Sequence, residues 1–229
     1  MDRGYVTLHN RCMEKRGFPA RSVVPANTAM PIPTAWRYGV IDPSIAARYG
    51  YHTPPGYKTR GNTDRAEAER RYAQNPMPDT ELRANNECVD NVQRQLGKPE
   101  GGSHMDDVLA QTLAVASFEQ SGTDPRVQEA TRRWTDCMRG KGYAVKDSLT
   151  VVNQFDLTTK LPTPVEVAIA TADVECKRAS NLVGVWYAVE VAYQNSSIRN
   201  NIQRLEASRR NVDTAVRVAA QTLGVTTPR

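Results

Sequence analysis

The chain has 229 residues and a formal charge of +5, with 39% hydrophobic and 24% charged residues. That length supports one large domain or two small ones, and the ordinary charged fraction excludes wholesale disorder. No run of about 18 apolar residues occurs, which excludes a membrane-spanning helix. Three Phe, three Trp and nine Tyr leave a core thin in large side chains, so covalent crosslinks would strengthen it. The charge is uneven: residues 1–75 hold twelve Lys/Arg against six Asp/Glu, and residues 76–229 hold eighteen against nineteen. A basic N-terminal third can lean on an anionic lipid or wall-polymer surface, although an arginine-rich solvated surface explains the same charge. Nucleic acid is not an expected partner, because neither a basic motif nor an aromatic stacking module accompanies the charge.

Residues 3–17 are expected to form a short helix with Tyr5, Leu8 and Cys12 on one face. Gly17, Phe18 and Pro19 supply its stop. Residues 19–78 carry nine of the fourteen prolines and form an irregular excursion. Within it, Asp42-Pro43 can open a short helix as N-cap and first-turn proline, and Asp64–Gln74 is helix-prone. Asp79–Leu96 repeats Leu82, Asn85, Val89, Val92 and Leu96 at three- and four-residue steps, and Gly97-Lys98-Pro99 ends it. Asp106–Gln120 is the next expected helix. After it, Asp124-Pro125 opens one whose stripe is Val127, Ala130, Trp134, Cys137 and Met138. Residues 144–162, with their β-branched cluster, read as a short strand pair or an extended loop.

Pro164 can sit in a first helical turn, and no further proline occurs until Pro228. Residues 164–223 therefore read as one long helix or as a helical hairpin, with an end or bend favoured near Asn195–Ser197, where the sequence is most polar. Beyond that point Ile202, Leu205, Val212, Val216 and Leu223 form a 3,4-spaced apolar face suited to a partner helix.

The most informative pattern occurs twice. Cys12-Met13-Glu14-Lys15-Arg16-Gly17-Phe18 and Cys137-Met138-Arg139-Gly140-Lys141-Gly142-Tyr143 share the form Cys-Met, three residues, Gly, aromatic. Each precedes a Glu-Cys pair on an expected helix, Glu87-Cys88 and Glu175-Cys176. The order implies a degenerate duplication, in which a cysteine near the end of one helix is stapled to another helix. Of the three ways to pair four cysteines, the repeat selects Cys12–Cys88 and Cys137–Cys176. Crosslinks of this kind persist in an oxidising, extracytoplasmic compartment. Four buried free thiols in a cytosolic protein are the main competing reading. A zinc site lacks a closely spaced cysteine pair, and no Cys-x-x-Cys redox motif is present.

The expected architecture is all-α, a single helical domain over 1–229 with two related halves. The first, 1–100, contains the proline-rich insertion 19–78; the second, 101–229, feeds the long C-terminal helix. The two Cys-Met motifs, Arg37–Pro43 with Arg48–Tyr51, Asp124–Val127 with Trp134, and Glu175–Arg178 through Asn181–Val183 together resemble uncharacterised secreted or lipid-anchored proteins of actinobacteria. The resemblance spans most of the chain. It implies export and an envelope setting, sometimes beside transport systems, and it brings no activity and no catalytic residue. No signal peptide or lipidation cysteine opens the sequence, so an exported form is expected to be this chain with its leader removed.

No catalytic constellation, cofactor fingerprint or metal set is expected. His9, His52 and His104 are isolated, Asp106-Asp107, Glu67 and Glu69 read as helix-start or solvated charges, and Gly101-Gly102 stands alone. The exposed chemistry expected to bind lies in residues 36–57, where Trp36, Arg37, Tyr38, Arg48, Tyr49, Tyr51, His52 and Tyr57 interleave with Lys58. The alternative is that these rings pack down to anchor the excursion. Two functions follow. One is an envelope binding or accessory protein that contacts a protein partner, such as a transporter or sensor, through the C-terminal helix and this loop. Removing residues 198–229 should then abolish partner capture while the stapled body stays folded. The other is a small-molecule or wall-polymer binder with a pocket at the aromatic segment.

Overall fold

The computed structural model describes residues 2–22, 34–57, 70, 73–97 and 109–225. Most of the expected helix Asp64–Gln74, together with Lys58, Glu67, Glu69, Gly101–Gly102, His104 and Asp106–Asp107, lies outside these residues. The described residues form eight α-helices and two 3-10 turns and contain no strand, so the class is all-α. In chain order the helices are α1 (Asp2–Lys15), α2 (Pro43–Tyr49), α3 (Asp79–Gln95), α4 (Leu109–Gly122), α5 (Pro125–Gly140), α6 (Pro164–Ala179), α7 (Leu182–Asn200) and α8 (Ile202–Leu223). They make two compact units. The first is built from α1, α3 and α8, and the second from α2, α5, α6, α7 and most of α4. Each unit holds one disulfide, Cys12–Cys88 in the first and Cys137–Cys176 in the second. Two such crosslinks point to an oxidising, extracytoplasmic environment. Among the described residues no helix is long and apolar enough to cross a membrane.

In the first unit α1 packs on both α3 and α8. Met13, Ala84 and Cys88 form one small buried cluster around the disulfide, with Phe18 against it. Val92, Leu96 and Ala215 form another, joined by Tyr5, Leu8 and Val218. The α1–α8 contact is close because both faces are small: a Cβ on Gly4 would stand 2.5 Å from Ala219 Cβ. On α3 the buried face is Glu81, Ala84, Cys88 and Val92. The expected stripe is thus rotated, and Leu82 is exposed, because the crosslink at Cys88 fixes which side of α3 meets α1. Glu81 is buried with its own cation, Arg21, whose Nη2 donates to Oε2 at 2.6 Å.

The ends of α1 and α5 are the same structure. Phe18 N–H donates to Met13 O at 3.0 Å, and Tyr143 N–H to Met138 O at 2.9 Å. Gly17 and Gly142 N–H donate to Glu14 O and Arg139 O. These are the paired bonds of a helix end closed by a left-handed residue, and φ of +81° and +89° explains glycine at both positions. Each methionine beside the crosslinked cysteine is fully buried. The likeness extends further than the motif. Arg16, just before Gly17, pairs with Glu87, and Lys141, just before Gly142, donates to Glu175 at 2.7 Å. In each staple, therefore, the cation preceding the glycine meets the glutamate preceding the second cysteine.

In the second unit three helices begin with a proline in the first turn behind a capping side chain. Asp42 accepts from Ser44 N at 2.8 Å, Asp124 from Arg126 N at 3.0 Å, and Thr163 Oγ1 from Glu166 N at 3.1 Å. Arg126 hydrogen-bonds Asp124 with its side chain too, holding that carboxyl low, at about 2. The core gathers Val127, Ala130, Trp134 and Met138 of α5, Ala170, Val174 and Cys176 of α6, and Leu182, Trp186 and Val189 of α7. A fully buried Trp such as Trp134 is worth about 3–5 kcal/mol over alanine. Residues 144–162 form turns and a 3-10 turn over Val151–Gln154 rather than a strand pair.

Residues 164–223 are three helices, neither one long helix nor a chain broken at Asn195–Ser197. The first interruption follows Ala179. Ser180 Oγ donates back to Cys176 O at 2.8 Å, and Asn181 takes φ +50°, a conformation that asparagine tolerates better than most residues. The second is Asn201, whose φ of −124° leaves the helical range. Polarity at 194–201 marked the right neighbourhood, yet Asn195–Ser197 continues α7 without a break.

Candidate functional site

The chemistry of the second unit is concentrated where residues 37–52 run against α6 and α7. Three carboxylates there are nearly inaccessible: Glu166 is 1% exposed, Asp173 0% and Glu190 2%. Glu166 and Asp173 lie seven residues apart on α6, two turns along one face, and Lys177 follows four residues later. This face would be apolar in an ordinary core helix, so each charge needs a partner.

Every one of them has partners. Asp173 accepts from Lys177 Nζ at 2.9 Å, Trp134 Nε1 at 2.9 Å and Tyr51 Oη at 3.3 Å. Lys177 also donates to Val40 O at 3.1 Å. Burial raises the Asp173 carboxyl and lowers the Lys177 ammonium, while their mutual attraction opposes both shifts. Glu166 Oε1 accepts from Tyr51 N–H at 2.8 Å and faces His52 Nδ1 at 2.9 Å; His52 Nε2 reaches Thr159 Oγ1 at 3.1 Å. Gly50 permits this approach, because with φ +56° a Cβ there would stand 2.6 Å from Glu166 Oε1. Glu190 of α7 accepts from Tyr38 Oη at 2.5 Å and Gln194 Nε2 at 2.7 Å and pairs with Arg37 Nη1 at 2.7 Å. The Arg37 guanidinium stacks 4.9 Å over Phe118, whose ring lies parallel to Trp186.

Burial and the neighbouring carboxylates push both phenols, Tyr38 and Tyr51, well above the ordinary value of 10.0. A group whose native pKa is raised contributes stability fully below its unfolded value and loses it as pH rises beyond. The second unit should accordingly weaken above about pH 10 as the unfolded chain releases protons that the native phenols retain. Urea unfolding at pH 8 and pH 11 will show this loss, and Tyr38→Phe with Tyr51→Phe should flatten it.

Residues expected to form one binding surface are therefore divided. Tyr38 and Tyr51 are buried core residues, excluded from any exposed surface because their hydroxyls serve Glu190 and Asp173. Arg37 is committed to Glu190. Trp36 and Tyr57 are half-buried against each other, ring centroids 5.0 Å apart. Tyr49 is half-buried under exposed Arg48, 5.2 Å above its ring. On α8, Ile202 (47% exposed), Val212 (45%), Val216 and Leu223 lie open, and Leu205 is half-buried. His9 is buried in the first unit with Ser22 Oγ 3.1 Å from its Nδ1.

Glu166, Asp173, Lys177 and Glu190 were missed from the sequence; their signal was charge placed inside an apolar stripe. In the first unit an open depression of about 350 Å³ beside the disulfide is lined by Arg16, Phe18, Thr80, Arg83, Ala84 and Glu87. Among the described residues no group of three or more His, Cys, Asp or Glu is placed to hold a metal ion. Comparison with protein-family models, with curated proteins and with solved structures yields no match.

Proposed function

We propose that the protein is an extracytoplasmic binding or accessory protein of the cell envelope, acting through contacts with a protein partner such as a transporter or sensor. The observation that carries this reading is α8. One side of it is locked onto α1 through Ala215 and Ala219, while Ile202, Val212, Val216 and Leu223 stay exposed along the same helix. Exposed apolar residues repeated along one helix favour a protein surface. The excess of Lys and Arg over Asp and Glu in residues 1–75 is compatible with peripheral contact with anionic lipid or wall polymer. The disulfides and the resemblance to secreted or lipid-anchored actinobacterial proteins agree with an envelope setting.

Deletion of residues 198–229 does not isolate this role. It would strip α8 from α1 and remove part of the first unit's core. Val212→Lys with Val216→Lys is the cleaner test, because both side chains are exposed and the fold should be unaffected. Capture from native envelopes, followed by mass spectrometry, should recover one protein with the unaltered chain and lose it with the variant. The same recovered set from both would overturn the reading. A small-molecule or wall-polymer pocket in residues 36–57 has less support, since Tyr38 and Tyr51 are consumed by the core.

A further inference from the structure

Three side chains of the second unit stand in an order that packing alone does not require. Thr159 Oγ1 lies 3.1 Å from His52 Nε2, and His52 Nδ1 lies 2.9 Å from Glu166 Oε1. Glu166 is buried and fixed by Tyr51 N–H, whereas Thr159 is exposed. A hydroxyl at one imidazole nitrogen and a buried carboxylate at the other is the arrangement by which a base is oriented toward a nucleophile.

We propose that Thr159, His52 and Glu166 form an acyl-transfer centre for small esters with an apolar acyl chain. Thr159 Oγ1 also lies 3.0 Å from Asp156 O and 3.1 Å from Leu161 O, so its single proton is shared among three acceptors. Of these only the imidazole acts as a base and carries the proton away. Thr159 Oγ forms a bond to the ester carbonyl carbon as its proton passes to His52 Nε2. The tetrahedral adduct collapses, breaking the bond to the alcohol oxygen, and the alcohol leaves with that proton. Water then attacks the acyl-threonine, giving its proton to His52; this second adduct collapses by breaking the bond to Thr159 Oγ, which takes that proton back from the imidazolium as the acid leaves.

Glu166 stabilises the imidazolium in both halves, and Asp156 adds a second negative charge near it. The Thr158 hydroxyl and N–H, at 2.6 and 2.9 Å, hold Asp156 ionised. Leu157 and Leu161, the latter 77% exposed, flank the hydroxyl in sequence and offer apolar contact to an acyl chain.

The test uses the full oxidised chain, an alkyl fluorophosphonate and p-nitrophenyl butyrate. A single phosphonyl adduct on the Thr159 peptide is expected. Thr159→Val should abolish it and lower ester hydrolysis about 100-fold or more, with an unchanged melting temperature. Thr159→Ser should retain both, and His52→Gln should lose both. Absence of the adduct on the unaltered chain, an adduct mapping elsewhere, or hydrolysis undiminished in Thr159→Val would each overturn the proposal.

Discussion

Replacing Lys177 with methionine is expected to lower the unfolding free energy by about 3–5 kcal/mol, the cost of stranding a buried charge. Lys177 and Asp173 are 2% and 0% exposed, so solvent does not screen the pair. The cost arises less from the lost ion pair than from the abandoned carboxylate. Asp173 would keep Trp134 Nε1 and Tyr51 Oη, two neutral donors that cannot balance a full charge. Its carboxyl, already raised by burial, would rise further and take up a proton. The native state then binds more protons than the unfolded chain above the ordinary value of 3.8, so stability falls as pH rises through that window. Lys177→Met should therefore be less damaging at pH 5 than at pH 8. Adding Asp173→Asn removes the charge while keeping an acceptor for Trp134. The double variant should be more stable than Lys177→Met alone at pH 8, as measured by urea unfolding. A single-variant cost under about 1 kcal/mol, or a double variant as unstable as the sum of both, would refute this account.

The second large effect falls on the first unit. Its buried clusters are small, centred on Met13, Ala84 and Cys88 and on Val92, Leu96 and Ala215. The crosslink Cys12–Cys88 closes a separation of 76 residues, for which loop entropy predicts about 4 kcal/mol. Few apolar contacts remain to replace it, so Cys12→Ser with Cys88→Ser should release α1 from α3. Hydrogen exchange should show amides of α1 and α3 losing protection while those of α5, α6 and α7 keep theirs. Removing Cys137–Cys176, which spans 39 residues, should lower stability without that selective loss, because Trp134, Met138 and Leu182 still fill the second core. Equal loss of protection across both units in the first variant would contradict this difference.

The parts legible in the sequence were those governed by local rules. Asp42-Pro43, Asp124-Pro125 and Pro164 announced three helix starts, and the Gly-aromatic signals announced two helix ends and the pairing of the cysteines. Harder to read was anything set by tertiary partners. The rotation of α3 depends on Cys88, and its exposed Leu82 has the same side chain as many core positions. Asn181 and Asn201 end helices through backbone conformation, and neither is distinguished by composition from Asn195, which does not. The buried carboxylates were hidden because their partners lie far away: Tyr38 is 152 positions from Glu190, and His52 is 114 from Glu166. An acidic residue within an apolar stripe is a usable warning. Only the fold reveals that residues 37–52 answer it.

The order of the crosslinks along the chain bears on how the protein is made. Cys12 joins the next cysteine to follow it, and Cys137 joins the next after that, so neither loop encloses or crosses the other. For a chain that emerges N-terminus first, oxidation of successive cysteines as they appear produces the native pairing without reshuffling. The first unit nonetheless remains incomplete until α8 arrives, after the entire second unit has been delivered. During that interval Cys12–Cys88 is a placeholder, keeping α1 and α3 in register for a third helix still to come.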